Sequence, residues 1–298
     1  MSRSGELSLS HLRELYANGI NLSQWLREYW GQADSDERII ELAYDLQAGT
    51  YVAAMDDPEF AARKHAYGAA IAAEIRQLGS VRSLLEAGVG EATTLSCIQS
   101  ELPQGLPVFG FDLSWSRLNV ARRWLSSLGQ VADLCCASLS QVPADDHAFD
   151  VVLTSHTLEP NRGREDVLLR ELYRVTGRYL ILLEPGYELA SAEARQRMDH
   201  HRYCRALPQT AKALGYKVLE HRLFDHSANP LNPTALTIIE KSADYADNPA
   251  RWGCPVSRGV LRPIENTLYS PQSGLAYPVL QGIPCLRAAQ GVIASHLG

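Results

Sequence analysis

The stretch Val81-Arg82-Ser83-Leu84-Leu85-Glu86-Ala87-Gly88-Val89-Gly90-Glu91-Ala92-Thr93-Thr94 constrains this chain more than any other. A short apolar run ends in an acid, passes through Gly-x-Gly and enters a helix-compatible segment. The order predicts strand, tight turn and helix N-terminus. Gly88 and Gly90 let the backbone turn and let a ligand approach without a Cβ in the way. Glu86, at the strand's carboxyl end, can accept hydrogen bonds from a cationic or hydroxylated ligand. Ala92 takes the place of the third glycine in the dinucleotide fingerprint, a replacement the looser pattern allows. Alone, the motif is also compatible with an ordinary glycine turn in an α/β protein.

The next predicted strand, Pro107-Val108-Phe109-Gly110-Phe111-Asp112, also ends in an acid. Asp112 follows Gly90 by 22 residues, close to the spacing at which an acid meets a ribose diol. With Gly110-Phe111-Asp112-Leu113-Ser114 and Phe149-Asp150-Val151-Val152-Leu153-Thr154-Ser155-His156, these words make the chain resemble the class I S-adenosylmethionine (SAM)-dependent methyltransferases over residues 80–240. The resemblance implies SAM as cofactor and a Rossmann-like seven-stranded α/β sheet whose last strand is antiparallel. Strands are predicted at 82–87, 107–112, 131–136, 149–155, 179–184, 216–224 and 234–240. Helices are predicted at 92–102, 115–127, 164–175 and 192–214. Such alternation means parallel strands joined by crossover helices.

Cofactor contacts are expected from Tyr44, Tyr51, Glu86, Gly88, Gly90, Asp112, Leu113, Ser138, Leu139 and Ser155. Relatives often carry an aspartate where Ser138 aligns, contacting the adenine amino group; a serine would accept the same bond more weakly. Leu139 would flank the ring. His156 and Glu159 follow the fourth strand, at the sheet edge where ligands sit in open α/β folds. His156 is the first candidate base, ahead of His200 and His201, although it could equally be a wall of the pocket. Those two histidines belong to Arg195-Gln196-Arg197-Met198-Asp199-His200-His201-Arg202-Tyr203-Cys204-Arg205. This cluster suits an anionic or hydroxyl-rich acceptor, or else a solvated helix face. Adjacent histidines on a helix point about 100° apart, so no metal is expected.

Upstream, residues 1–79 read as a helical lid. Apolar positions recur at helical spacing over 8–30, and Asp34-Ser35-Asp36 starts a further helix. Tyr44, Gln47 and Tyr51 are its expected pocket contacts. Another helix is expected from Pro58 to Leu78. Residues 80–242 form the predicted SAM-binding core.

Residues 252–298 form a predicted small β-rich module. Cys254-Pro255, Gly274-Leu275-Ala276-Tyr277-Pro278 and Gly282-Ile283-Pro284 resemble a zinc-ribbon-like domain that occurs free-standing and as the activator subunit of tRNA and protein methyltransferases. The family pattern has two Cys-x-x-Cys pairs; here they read Cys254-x-x-Ser257 and Ser270-x-x-Ser273. Hydroxyls are poor zinc ligands, so the module is expected to be metal-free and braced on the core.

The net charge of −6 weighs against nucleic acid as partner, and no apolar run is long enough for a bilayer. No signal peptide is visible, and six cysteines without disulfide spacing fit a cytoplasmic setting. The leading expectation is methyl transfer to an O or N atom of a small-molecule acceptor, a sugar or amino-acid-derived biosynthetic intermediate, with a homodimer as a compatible assembly. Two alternatives remain: a tRNA or protein methyltransferase with its activator fused, and a SAM-binding protein without turnover.

Overall fold

A computed structural model describes residues 7–31, 36–227, 229–241 and 250–297. Five helices come first: α1 (Leu9–Ala17), α2 (Leu22–Trp30), α3 (Glu37–Asp45), α4 (Thr50–Ala54) and α5 (Pro58–Gln77). Asn21 and Asp36 cap α2 and α3 through their side-chain oxygens, and Asp57 caps α5 with proline just inside the first turn. Of the expected Asp34-Ser35-Asp36 start, only Asp36 lies within the described residues. Leu12, Leu22, Leu26, Ile39 and Ala43 give the first three helices a small core of their own.

The central layer alternates as the sequence predicts. Its elements are β1 (Leu84–Ala87), α6 (Thr93–Ser100), β2 (Val108–Asp112), α7 (Trp115–Ser127), β3 (Asp133–Cys136), β4 (Phe149–Ser155), α8 (Glu165–Val175), β5 (Thr176–Pro185), α9 (Ala192–His201), α10 (Leu207–Ala213), β6 (Lys217–Leu223) and β7 (Thr234–Glu240). The seven strands form one sheet in the order β3-β2-β1-β4-β5-β7-β6. Strands β1 to β5 run parallel; β7 pairs antiparallel with both β5 and β6. This is the Rossmann-like mixed sheet the motifs imply. Strands buried on both faces read as continuous apolar runs, and every residue of β1 and β2 is buried.

The helix expected over 192–214 is two helices. Arg202 and Ala206 adopt left-handed backbone (φ +58° and +57°), which ends α9 and starts α10. Between them the Cys204 N–H donates to the Glu159 carbonyl at 2.9 Å, so the break ties this segment to the loop after β4.

The C-terminal module contains β8 (Arg262–Ile264), β9 (Thr267–Ser270), β10 (Leu275–Leu280), β11 (Ile283–Pro284) and β12 (Val292–Ile293), an antiparallel unit in the order β11-β10-β9-β8 with β12 beside β10. It packs where the sheet lacks a helix. The connection from β3 to β4 contains no helix among residues 137–148, leaving Phe109, Phe111 and Phe149 to be covered by something else. Trp252 meets all three rings at centroid distances of 5.6, 6.4 and 5.5 Å. Tyr277, Leu286 and Cys254 join the same buried cluster. The module also extends the sheet edge: Cys285 bridges Cys136 in parallel, and the Leu286 N–H donates to the Cys136 carbonyl at 2.8 Å. Of the linker that the sequence predicts over 241–253, residues 242–249 lie outside the described residues. No helix among the described residues is long and apolar enough to cross a membrane.

Candidate functional site

The carboxyl ends of β1, β2 and β4 open into one cavity of about 770 Å³, roofed by α3, α4 and α5. Parallel pairing puts Glu86 and Asp112 on adjacent strands, and both face this cavity with Gly88 and Gly90 between them.

The glycines are required here. Gly88 has φ +70°, and a Cβ there would collide with Thr157. Gly90 has φ +54°, and its Cβ would lie 2.6 Å from the Arg117 guanidinium. The Asp112 carboxylate accepts from the Gly90 N–H at 3.0 Å and the Ser114 N–H at 2.9 Å. It is thereby fixed in orientation, while each oxygen keeps a lone pair for a ligand.

Glu86 is buried, and among the described residues its Oε2 has no partner. Such an orphaned acceptor is costly unless a ligand meets it. Burial pushes its carboxyl up to about 8, with nearby Lys64 pulling down and Asp112 pushing up. Lys64, from α5, is itself held below the usual lysine value by burial, partly countered by Glu86. Its ammonium donates to Thr94 Oγ1 at 2.6 Å. An unpaired buried carboxylate oxygen, a glycine cradle and an oriented aspartate together fit a ligand with cationic and hydroxylated parts, as SAM has.

The N-terminal helices are fastened to this loop. Buried Glu91 accepts from the Gly49 and Val52 N–H groups at 3.0 and 2.8 Å, at the N-terminus of α4. Favourable charge at a helix start and satisfied orphan donors both follow. Arg117 lies 5.3 Å from the rings of Tyr44 and Tyr51, so both tyrosines line the cavity through a shared cation. Gln47 does not line it.

Leu113, Leu139 and Ser155 also line the cavity. Ser138 sits behind that wall, donating its hydroxyl to Glu37 Oε1 at 2.8 Å.

His156 lies where β4 ends and adopts φ +52°, a backbone conformation that β-carbon sterics disfavour and that clusters at functional sites. Its Nδ1 is 2.7 Å from Glu159 Oε2 and its Nε2 is 2.8 Å from Thr234 Oγ1. Asn232 donates to the same Glu159 oxygen at 3.1 Å. Burial lowers the imidazole's proton affinity, but Glu159 and then Glu184 outweigh it and hold His156 above the usual histidine value. Glu184 is pushed by burial up to about 7; its two oxygens accept from the Thr157 and Glu159 N–H groups at 3.0 and 3.2 Å.

His200 and His201 do not reach this cavity. They line a separate hollow with Asn21, Gln24, Arg27 and Glu28 at and along α2. The cause is the orientation of α9, which turns Ala194 and Met198 inward and leaves its last turn facing α2.

Sequence reasoning passed over Glu37, Lys64, Glu91, Arg117, Asn232 and Thr234. Glu91 stood inside the glycine motif itself. Glu37 shares a four-residue spacing with Glu41 and Asp45, which puts three acids on one face of α3.

A family model described as a methyltransferase domain matches residues 84–178. This segment carries the glycine loop, Asp112 and His156, and the chain contains a class I SAM-dependent methyltransferase domain. Among solved structures, magnesium protoporphyrin IX methyltransferase from Synechocystis PCC 6803 with bound SAH is 14% identical, with 78% of this chain and 99% of that chain covered at a TM-score of 0.45. Geranyl diphosphate C-methyltransferase from Streptomyces coelicolor A3(2) is 15% identical, with 56% and 78% covered at 0.43. A SAM-dependent methyltransferase from Aquifex aeolicus is 14% identical, with 57% and 88% covered at 0.41. No curated protein matches the sequence.

Proposed function

We propose that this methyltransferase acts on an oxygen or nitrogen atom of a small-molecule acceptor, with a sugar or an amino-acid-derived intermediate as the compound class. One observation carries this reading. Beyond the glycine loop the cavity continues past His156 to Phe60, His226, Asn232 and Thr234, beneath the roof of α3 to α5. A roofed cavity of mixed polar and apolar walls, with His156, Asn232 and Thr234 toward its far end, suits a compact hydroxylated or amino compound better than a folded macromolecule. The net charge of −6 points the same way.

SAM supplies a methyl group on a positively charged sulfur, already activated for transfer. The chain's task is then to hold an acceptor atom in line and to keep water out. In this reading Asp112 takes the ribose hydroxyls and Glu86 takes a cationic group of the cofactor. Gly88 and Gly90 allow close backbone approach. Tyr44 and Tyr51, held by Arg117, close the roof. For a hydroxyl acceptor, His156 receives the proton at Nε2 in place of its bond to Thr234, while Glu159 keeps the ring oriented through Nδ1. An amine acceptor needs only desolvation and loss of its own proton.

Residues 1–79, 80–242 and 252–298 serve as lid, core and brace. The brace is a metal-free relative of the zinc-ribbon module. Its four former ligand positions still converge: Cys254 Sγ lies 3.5 Å from Ser273 Oγ and accepts from the Ser257 N–H at 3.4 Å, and Ser257 Oγ lies 3.2 Å from Ser270 Oγ.

The test is a transfer assay with methyl-labelled SAM against a small-molecule extract, tRNA and a protein lysate in parallel. Label in the small-molecule fraction is the expected result. Label in tRNA or protein instead would favour the fused-activator reading. SAM binding without transfer to any fraction would leave a binding protein.

A further inference from the structure

The sheet order gives the cavity a direction. Glu86, Asp112 and Ser138 stand at the ends of β1, β2 and β3, three successive neighbours. A ligand whose sugar is held at Asp112 must place its remaining two parts on either side, toward β1 and toward β3. On the β3 side the cavity wall is apolar, made by Ile40, Leu113, Ala137 and Leu139, a lining suited to a flat ring. The polar group at that end comes from the lid. Glu37, the first residue of α3, lines the cavity.

Glu37 is built into place. Its Oε1 accepts from Ser138 Oγ and Ser140 Oγ, both at 2.8 Å, and from Arg164 Nη2 at 3.0 Å. Among the described residues all three bonds fall on this one oxygen, which leaves Oε2 for another donor. Burial alone would raise the carboxyl; the bonds from Ser138, Ser140 and Arg164 overcome that and hold it below the usual glutamate range. An ionised carboxylate accepts hydrogen bonds and donates none.

On the reading that this cavity binds SAM, we propose that Glu37 is the acceptor for the cofactor's exocyclic adenine amine, delivered by the lid because the strand end offers only Ser138. The serine's role is then to position the glutamate. Cofactor binding and lid placement become one event, since the carboxylate that reads the ring rides on α3. The site selects an amine over a ring carbonyl, because a carbonyl there would face a second acceptor.

The experiment is titration calorimetry of the full chain with SAM and with S-inosyl-L-methionine, which carries a carbonyl in place of the amine. Wild type should bind SAM at least about tenfold more tightly than the inosyl analogue, the effect of one charge-assisted hydrogen bond. Glu37→Ala should weaken SAM about tenfold and bring the two ligands close to parity. Adding Ser138→Asp to Glu37→Ala should restore both affinity and preference by returning a carboxylate from the strand side. The ratio of the two affinities is read within each variant, so a partly misfolded sample does not mimic the result. An unchanged preference in folded Glu37→Ala overturns the assignment while leaving the SAM site intact. Failure of wild type to bind SAM overturns the functional reading itself.

Discussion

Arg287 of the C-terminal module donates to Glu41 of helix α3 at 2.6 Å, joining two segments that flank the seven-stranded layer in sequence. Glu41 lies one turn from Glu37 and one turn from Asp45, whose carboxylate accepts from Ser114 Oγ at 2.6 Å and Ser116 Oγ at 2.9 Å. One face of α3 thus holds the loop after β3, the module and the start of α7 at once. Arg287→Ala should cost about 1 kcal/mol, the upper range for a pair that is not fully buried. It should also weaken SAM binding several-fold by loosening the lid. The double reversal Arg287→Glu with Glu41→Arg should recover most of both losses in a thermal and calorimetric mutant cycle. Additive losses in the cycle would remove the pair from the account.

Trp252 takes the part of the helix that the β3–β4 connection lacks. Trp252→Ala should destabilise the protein by about 3 kcal/mol, the range for losing a large aromatic from a packed cluster. Truncation before residue 252 should expose Phe109, Phe111 and Phe149 and promote aggregation. A soluble truncated chain with an unchanged melting temperature would make the module an independent appendage.

Much of this was legible in the sequence because it depends on local pattern. The glycine motif, Asp112 and the strand boundaries follow from period and punctuation, and β4 and β7 fall at the residues expected. The break between α9 and α10 was not legible, since left-handed residues at Arg202 and Ala206 carry no glycine to announce them. Glu37 and Lys64 were missed for a different reason. Each acts across long sequence separations, on Ser138 and Thr94 respectively, and a charged residue on a predicted helix reads as solvated unless its partner is known. The same limit misdirected attention to His200 and His201, whose density in sequence says nothing about which face of α9 is buried.

His156 and Glu159 predict a pH signature with opposite limbs. The folded value of His156 is raised above 6.5, so its contribution to stability is full below that value and is lost as pH rises through the folded value. Glu159 is lowered from 4.5, where the pull of His156 overcomes burial. Its contribution is present above 4.5 and is lost as pH falls through the lowered value. The pair should therefore stabilise most between these limits. Turnover runs the other way: a base must be neutral, so activity on a hydroxyl acceptor should fall on the acid side with a midpoint above 6.5. His156→Ala should lower turnover by roughly 10²–10⁴ with SAM affinity nearly unchanged. Equal loss of binding and turnover would reduce His156 to a wall of the pocket.

Cys254 should titrate apart from the other cysteines. Burial disfavours its thiolate, but hydrogen bonds from Ser257, Ser270 and Ser273 prevail and bring it down to about 6. Cys97, Cys135, Cys136, Cys204 and Cys285 are all pushed upward, with burial the leading cause. The ultraviolet absorbance of thiolate should show one step near pH 6, lost in Cys254→Ser. Elemental analysis should find no stoichiometric zinc, and a chelator should leave the melting temperature unchanged. A zinc content of one per chain would contradict the metal-free reading.

The most direct test is calorimetric titration of SAM into wild type and Asp112→Ala. The assignment of the SAM site requires one site per chain in the wild type, at least about tenfold weaker binding in the variant, and greater damage still in Gly90→Val, whose side chain would enter the cradle. Unchanged affinity in Asp112→Ala, or wild type that binds no SAM, would contradict it.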